Sequence, residues 1–153
     1  MNKLSEYVSS LEKYIDFIHL KNHSVSKSTI GWQIDHTLIV INGIIGQLKN
    51  SDAANYKAKF NIKRFIVYTT NHIPRGKATA PKIVNPENEA AAIELFDKIA
   101  LAKTNLLEID TFDKNNYFKH PFFGDLNVKR TKKFLALHTF HHLKIIQDIA
   151  KNQ

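Results

Sequence analysis

His138 and His142 stand four residues apart in the segment HTFHHLKII of this 153-residue chain. In a helix their side chains project about 40° apart, so one face presents both imidazoles. Phe134, Leu135, Ile145, Ile146 and Ile149 fall within about 80° of His138, which turns the pair along an apolar, inward stripe. An i, i+4 pair of histidines can chelate one metal ion, as in helical zinc motifs. The competing reading is a pair of core histidines, each bonded to a carbonyl or hydroxyl, since a buried polar group left unpaired costs about 1–3 kcal/mol.

His36 is the third candidate, in the middle of a second apolar segment and sharing a face with Trp32, Val40 and Gly43. Gly43 costs roughly 1 kcal/mol of helix propensity relative to Ala, which a close approach by a helix or a ligand would explain. Three inward histidines on two helices would leave a fourth coordination position open, the arrangement of a catalytic metal. The chemistry would be Lewis-acid activation of a bound water or thiolate. His141 lies about 60° from His138 and about 100° from His142, so it cannot easily share the same ion. His141 and His120 are the candidates for a general base, although each reads more simply as structural. The chain has no cysteine, which removes disulfides, thiolate metal sites and cysteine nucleophiles; a metal here must use His, Asp or Glu.

The elements that must position these residues read as four main helices. Residues 3–20 carry apolar side chains at helical spacing, from Leu4 to Ile18. The polar joint HSVSKST follows, where Ser28 or Thr29 can cap a helix from about Ile30 to Lys49. That helix is apolar on both sides and belongs at the bundle centre or in a dimer interface. A shorter helical segment is expected over about 54–68, then a long irregular connection, NHIPRGKATAPKIVNPENE. Glu87 to Leu107 reads as a helix with an acidic first turn, and Asn127 is a plausible cap for a last helix running to the end of the chain. No strand alternation is convincing. The expectation is an all-α fold, a four-helix bundle with a long crossover loop, with residues 1–153 forming one helical domain.

Charge is unevenly placed. The formal net charge is +8, and no acidic residue occurs between Asp52 and Glu87. That stretch carries Lys57, Lys59, Lys63, Arg64, Arg75, Lys77 and Lys82. A basic patch attracts nucleic acid, anionic lipid or an anionic small molecule. Tyr56, Phe60, Phe65 and Tyr68 recur at a spacing that suits a buried helix face better than a base-stacking platform. No run approaches the roughly 18 apolar residues of a membrane span. Glu6, Glu12 and Asp16 interrupt any leader-like apolar core near the start, so a cytoplasmic location is the default expectation.

WQIDHTL around His36, PRGKATAPK in the crossover, HPFFGDL before the last helix and HTFHHLKII within it together resemble the DinB/YfiT-like metalloenzyme superfamily. Within it the chain is similar to a bacterial branch of unassigned function that carries an HPFFG-like turn. The resemblance covers nearly the whole chain and keeps the motif order. It implies an up-down-down-up four-helix bundle, often a homodimer. It also implies a zinc or nickel ion held by one histidine of the second helix and two of the last, positions matched by His36, His138 and His142. Characterised relatives of this kind include thiol S-transferases and a thiol-dependent isomerase, and many others carry only a hydrolase label. After HTFHHL this chain reads KIIQ, where many relatives place a small residue and Gln sooner, so Gln147 takes no role and the substrate class stays open.

The expected function is thus a metal-dependent enzyme, hydrolase or thiol S-transferase in type, acting on a small, anionic molecule drawn by the basic rim. Neither nucleic acid nor a membrane is an expected partner. The alternatives are a non-catalytic binding module and a metal-free dimeric helical bundle.

Overall fold

The computed structural model describes residues 3–76 and 81–151. Lys77 to Ala80, part of the PRGKATAPK motif and of the basic run, lie outside the described residues. The described chain is mostly helical rather than all-α. Its helices are α1 (Lys3–Leu11), α2 (Ile30–Lys49), α3 (Ile62–Thr70), α4 (Ala92–Glu108) and α5 (Val128–Lys151). Two short antiparallel strands, β1 (Tyr117–His120) and β2 (Gly124–Asn127), form a hairpin ahead of α5.

Apolar periodicity produces the main packing. Helix α2 touches both α4 and α5, and α1 packs on α4 and α5. Ile34, Leu38, Ile41 and Ile45 of α2 are almost completely buried, as are Leu95 and Ile99 of α4 and Ile146 and Ile149 of α5. The expectation that α2 is enclosed on both sides holds for most of its length, because Gln33, Asp35, His36 and Val40 are buried as well. A buried carboxylate needs a partner, and Asp35 has one in Lys98 of α4 at 2.5 Å.

Side-chain caps set several boundaries. Thr29 Oγ1 accepts from the Trp32 N–H at 3.1 Å, Asn61 Oδ1 from Arg64 at 2.9 Å, and Asn127 Oδ1 from Arg130 at 3.1 Å. Each satisfies an N–H that the first helical turn cannot bond. The expected caps at Thr29 and Asn127 are therefore present.

Three helix boundaries differ from expectation, and a hairpin is added. The first helix does not run to residue 20: α1 ends at Leu11 and continues as a 3₁₀ turn over Glu12–Phe17, with the apolar spacing through Ile15 and Ile18 unbroken. The helix expected over 54–68 begins only at Ile62, where Asn61 supplies the cap. Helix α4 starts at Ala92 rather than Glu87, because Pro86 holds Asn85 extended (φ −86°, ψ 125°) and the chain stays non-helical to Ala91. Glu87 and Glu89 therefore precede the helix, and Glu94 is the acid in its first turn. The hairpin escaped the sequence because four-residue strands are too short to show alternation. Phe118 and Leu126 sit opposite each other in register and both turn into the core. Gly124, at φ +69°, supplies the left-handed residue that closes the three-residue turn.

The aromatic face expected between Tyr56 and Tyr68 is also corrected. Phe60 and Phe65 are exposed, Tyr56 and Tyr68 are half-buried, and the buried residue of α3 is Arg64. Its guanidinium donates to the carbonyls of Phe123 at 2.7 Å and Lys59 at 2.5 Å. Fixed to those carbonyls, Arg64 shares the inward side with Val67 and Tyr68, and Ile62, Phe65 and Ile66 are left outside.

No helix among the described residues is long and apolar enough to cross a membrane. The close approach expected at Gly43 is absent, since a Cβ there would meet nothing within 4 Å. It occurs at Gly31 instead. A Cβ on Gly31 would lie 3.1 Å from both Cβ and the carbonyl oxygen of Ile18, and the Gly31 N–H donates to that same oxygen at 2.9 Å. Gly31→Ala is therefore expected to destabilise the protein by about 1–3 kcal/mol, read as a lower urea midpoint at unchanged slope.

Candidate metal centre

The contact between α2 and α5 brings His36 against His138 and His142. Their ring centroids are 5.2 Å (His36–His138), 4.7 Å (His36–His142) and 4.5 Å (His138–His142) apart. One nitrogen from each ring lies within 4.8 Å of the other two, a grouping that could hold a metal ion. All three residues read as candidate ligands in the sequence thus meet at one point. His36 and His142 are buried and His138 is half-buried.

Hydrogen bonds select the tautomers. His36 Nδ1 lies 2.8 Å from the carbonyl oxygen of Val84, which can only accept, so Nδ1 carries the proton and Nε2 keeps its lone pair. Gln33 Nε2 donates to Ser26 Oγ at 3.1 Å, which turns Gln33 Oε1 towards His142 Nδ1 at 2.6 Å. His142 Nδ1 is then the donor and its Nε2 is left free to coordinate. Trp32, one turn before His36, stacks on that ring at 5.0 Å and 7° and holds its plane.

The spacing fits a transition metal. His142 Nε2 and His138 Nε2 are 3.2 Å apart. Two nitrogens each bound at about 2.0–2.1 Å with a near-tetrahedral angle lie about 3.3 Å apart. The electrostatics agree. Burial lowers the pKa of His36, against the Val84 hydrogen bond and the Asp35 carboxylate, which raise it. Burial, then the neighbouring imidazoles, pushes His138 and His142 well below the ordinary histidine value. All three rings are neutral at pH 7, the state a metal ligand requires. His138 Nδ1 is buried and has no hydrogen-bond partner among the described residues.

Of the two candidate bases, His141 touches the centre, whereas Phe134 stands between His120 and His138. His141 meets His142 edge-on at 5.1 Å. Its pKa falls to about 4, chiefly through burial and then Arg75, while a backbone hydrogen bond at Ile73 raises it. His120 Nδ1 accepts the N–H groups of Phe122 at 3.0 Å and Phe123 at 3.2 Å, and the ring stacks on Phe123 at 4.3 Å. These contacts give His120 the job of holding the hairpin turn. Asp35 is turned to Lys98 and hydrogen-bonds none of the three rings, as its place about 100° from His36 around α2 implied.

Two parts of the centre had no reading in the sequence. Gln33 has a signal: it is a polar residue in an apolar helix, about 60° from His36 around the axis. The Val84 carbonyl has none, because a backbone acceptor carries no residue-type signature. It reaches the site only because the crossover, through its 3₁₀ turn over Lys82–Val84, folds back on α2.

Two outcomes follow for these supports. Replacing Gln33 with Leu removes the acceptor from His142 Nδ1–H, and zinc affinity measured against a chelating dye should fall roughly 10–100-fold. For the hairpin, burial lowers the pKa of His120 to about 4 from an ordinary 6.5. Between those values the unfolded chain takes up a proton that the folded hairpin refuses, so stability is retained above pH 6.5 and lost as pH falls towards 4. His120→Asn keeps an acceptor for the two N–H groups without the titration, so its urea midpoint should drop less than the parent's between pH 7 and pH 5.

No protein-family model matches this chain, and no solved structure matches it. Among curated proteins it is similar to the 60S ribosomal export protein NMD3 of Bos taurus, at 24% identity over 109 residues. That alignment covers 71% of this chain but 21% of NMD3, so the chain spans a minor part of that relative's length. The candidate metal centre rests on its geometry.

Proposed function

We propose that the chain is a metal-dependent enzyme acting on a small molecule, hydrolase or thiol S-transferase in type, with a divalent zinc or nickel ion at His36, His138 and His142. The observation that carries this reading is the convergence of three neutral imidazoles, two of them with Nδ1 committed to an acceptor so that Nε2 keeps its lone pair. The packing of α1, α2, α4 and α5 supports the four-helix DinB/YfiT-like arrangement proposed from the motifs.

A bound divalent ion would supply Lewis acidity, lowering the pKa of a water or thiol in its open position towards neutrality. The chain's own residues do the positioning. Val84 and Gln33 hold two imidazoles in the coordinating tautomer, and Trp32 fixes the plane of the His36 ring. His141, neutral at pH 7 and packed edge-on to His142, is the protein group placed to take a proton beside the centre.

One observation favours a metal-free reading. At 3.2 Å, His138 Nε2 and His142 Nε2 can share a proton in an ordinary N–H···N bond. That bond satisfies two of the three inward nitrogens and leaves His36 Nε2 outside it, which is why the metal reading is preferred.

Metal analysis separates the two. Protein supplied with Zn²⁺ or Ni²⁺ and freed of excess should retain about one equivalent, while His36→Ala falls below about 0.1 equivalent. A chelator should lower the melting temperature of the parent and leave that of His138→Ala unchanged. Retention below about 0.1 equivalent by the parent would overturn the proposal.

A further inference from the structure

Helix α3 turns Arg64, Val67 and Tyr68 towards the core and leaves a second apolar face outside. Ile62, Phe65 and Ile66 fall within an arc of about 100° around its axis, and Arg64 lies about 150° from the centre of that arc. The arginine is the buried side: it is 7% exposed, whereas Ile62, Phe65 and Ile66 are 57%, 55% and 53% exposed. Phe60, in the stretch leading into the helix, is 77% exposed and packs its ring against Phe65 at 6.0 Å. Rolling the helix to hide these side chains would strip Arg64 of the Phe123 and Lys59 carbonyls and leave a buried charge unpaired. The fold therefore commits this apolar face to the outside. Phe122, 44% exposed, extends it onto the hairpin turn, where Lys63 reaches over the ring at 5.9 Å.

The charge around the face selects what can cover it. Lys57, Lys59 and Lys63 are all exposed, and no acidic residue occurs from residue 53 to 86. A two-fold contact between copies would set these lysines against their own counterparts, an arrangement disfavoured by like-charge repulsion. The occupant must be apolar and negatively charged together. Single-stranded nucleic acid is the poorer match: two of the exposed side chains are aliphatic, and Phe60 and Phe65 lean on each other at 45° rather than standing open for bases. The side chains protrude and can insert between headgroups while the lysines meet phosphate.

We propose that the outward face of α3, with the segment 57–61 that leads into it, docks on an anionic bilayer surface. This interfacial docking differs from spanning, and it departs from the sequence-based expectation of no membrane partner. It is independent of the metal centre.

Co-sedimentation with vesicles tests it. The protein should pellet at low salt with vesicles containing about one-third phosphatidylglycerol in phosphatidylcholine, stay in solution with phosphatidylcholine alone, and be released as salt rises. Phe65→Ser/Ile66→Ser should reduce partitioning on the order of tenfold or more. Lys57→Gln/Lys59→Gln/Lys63→Gln should reduce it on the order of a hundredfold at low salt, and it carries the test if the serine variant loses its far-ultraviolet helix signal. The proposal is overturned by no binding to the anionic vesicles at low salt, or by binding that both folded variants retain. It is also overturned if these residues instead support an oligonucleotide complex or a dimer in light scattering while vesicles are ignored.

Discussion

Three imidazoles share one buried point between α2 and α5, and much of the surrounding structure answers to that constraint. Water is excluded from most of their surface, so each ring is held neutral and each nitrogen needs a partner or a ligand. Two outer nitrogens are answered by protein acceptors, Val84 O and Gln33 Oε1. The inner nitrogens face one another, where lone pairs repel unless a proton or a cation lies between them. That is the physical basis for reading the point as a metal centre.

The acceptors come from different levels of the fold. Gln33 shares a helix with His36 and is steadied by Ser26 in the joint before it. Val84 belongs to the crossover, so the connection between α3 and α4 also closes over one side of the histidine cluster. Earlier in the crossover Arg75 pairs with Asp148 of α5 at 2.7 Å, on the helix that carries His138 and His142. The hairpin joins from the third direction. His120 packs on Phe134 at 4.7 Å, and Phe134 packs on His138 at 5.5 Å, so the turn reaches the centre through contiguous rings.

Arg64 ties that same turn to α3, through the Phe123 carbonyl. A guanidinium buried on two backbone acceptors keeps both bonds in only one helix orientation, and that orientation places Phe65 and Ile66 outside. The exposed apolar face is thus a consequence of how the hairpin is held. One polar contact accounts for both the ordered turn and the surface face.

Residue types and spacing alone determined the inward faces of α2 and α5, the caps at Thr29 and Asn127, and the His36, His138 and His142 set, because helical periodicity is local and a buried stripe repeats in the sequence. They also indicated, by angle alone, that His141 is turned away from the shared ligand position and that Asp35 does not hold the His36 ring. The tertiary structure decided what depends on contacts distant in the chain: the Val84 carbonyl behind His36, the short hairpin that places His120 in a turn, and the outward apolar face of α3. The aromatics at 56–68 matched a buried face by period, but which face is buried depends on what lies opposite. Here it was the carbonyls of Phe123 and Lys59, and they chose the arginine.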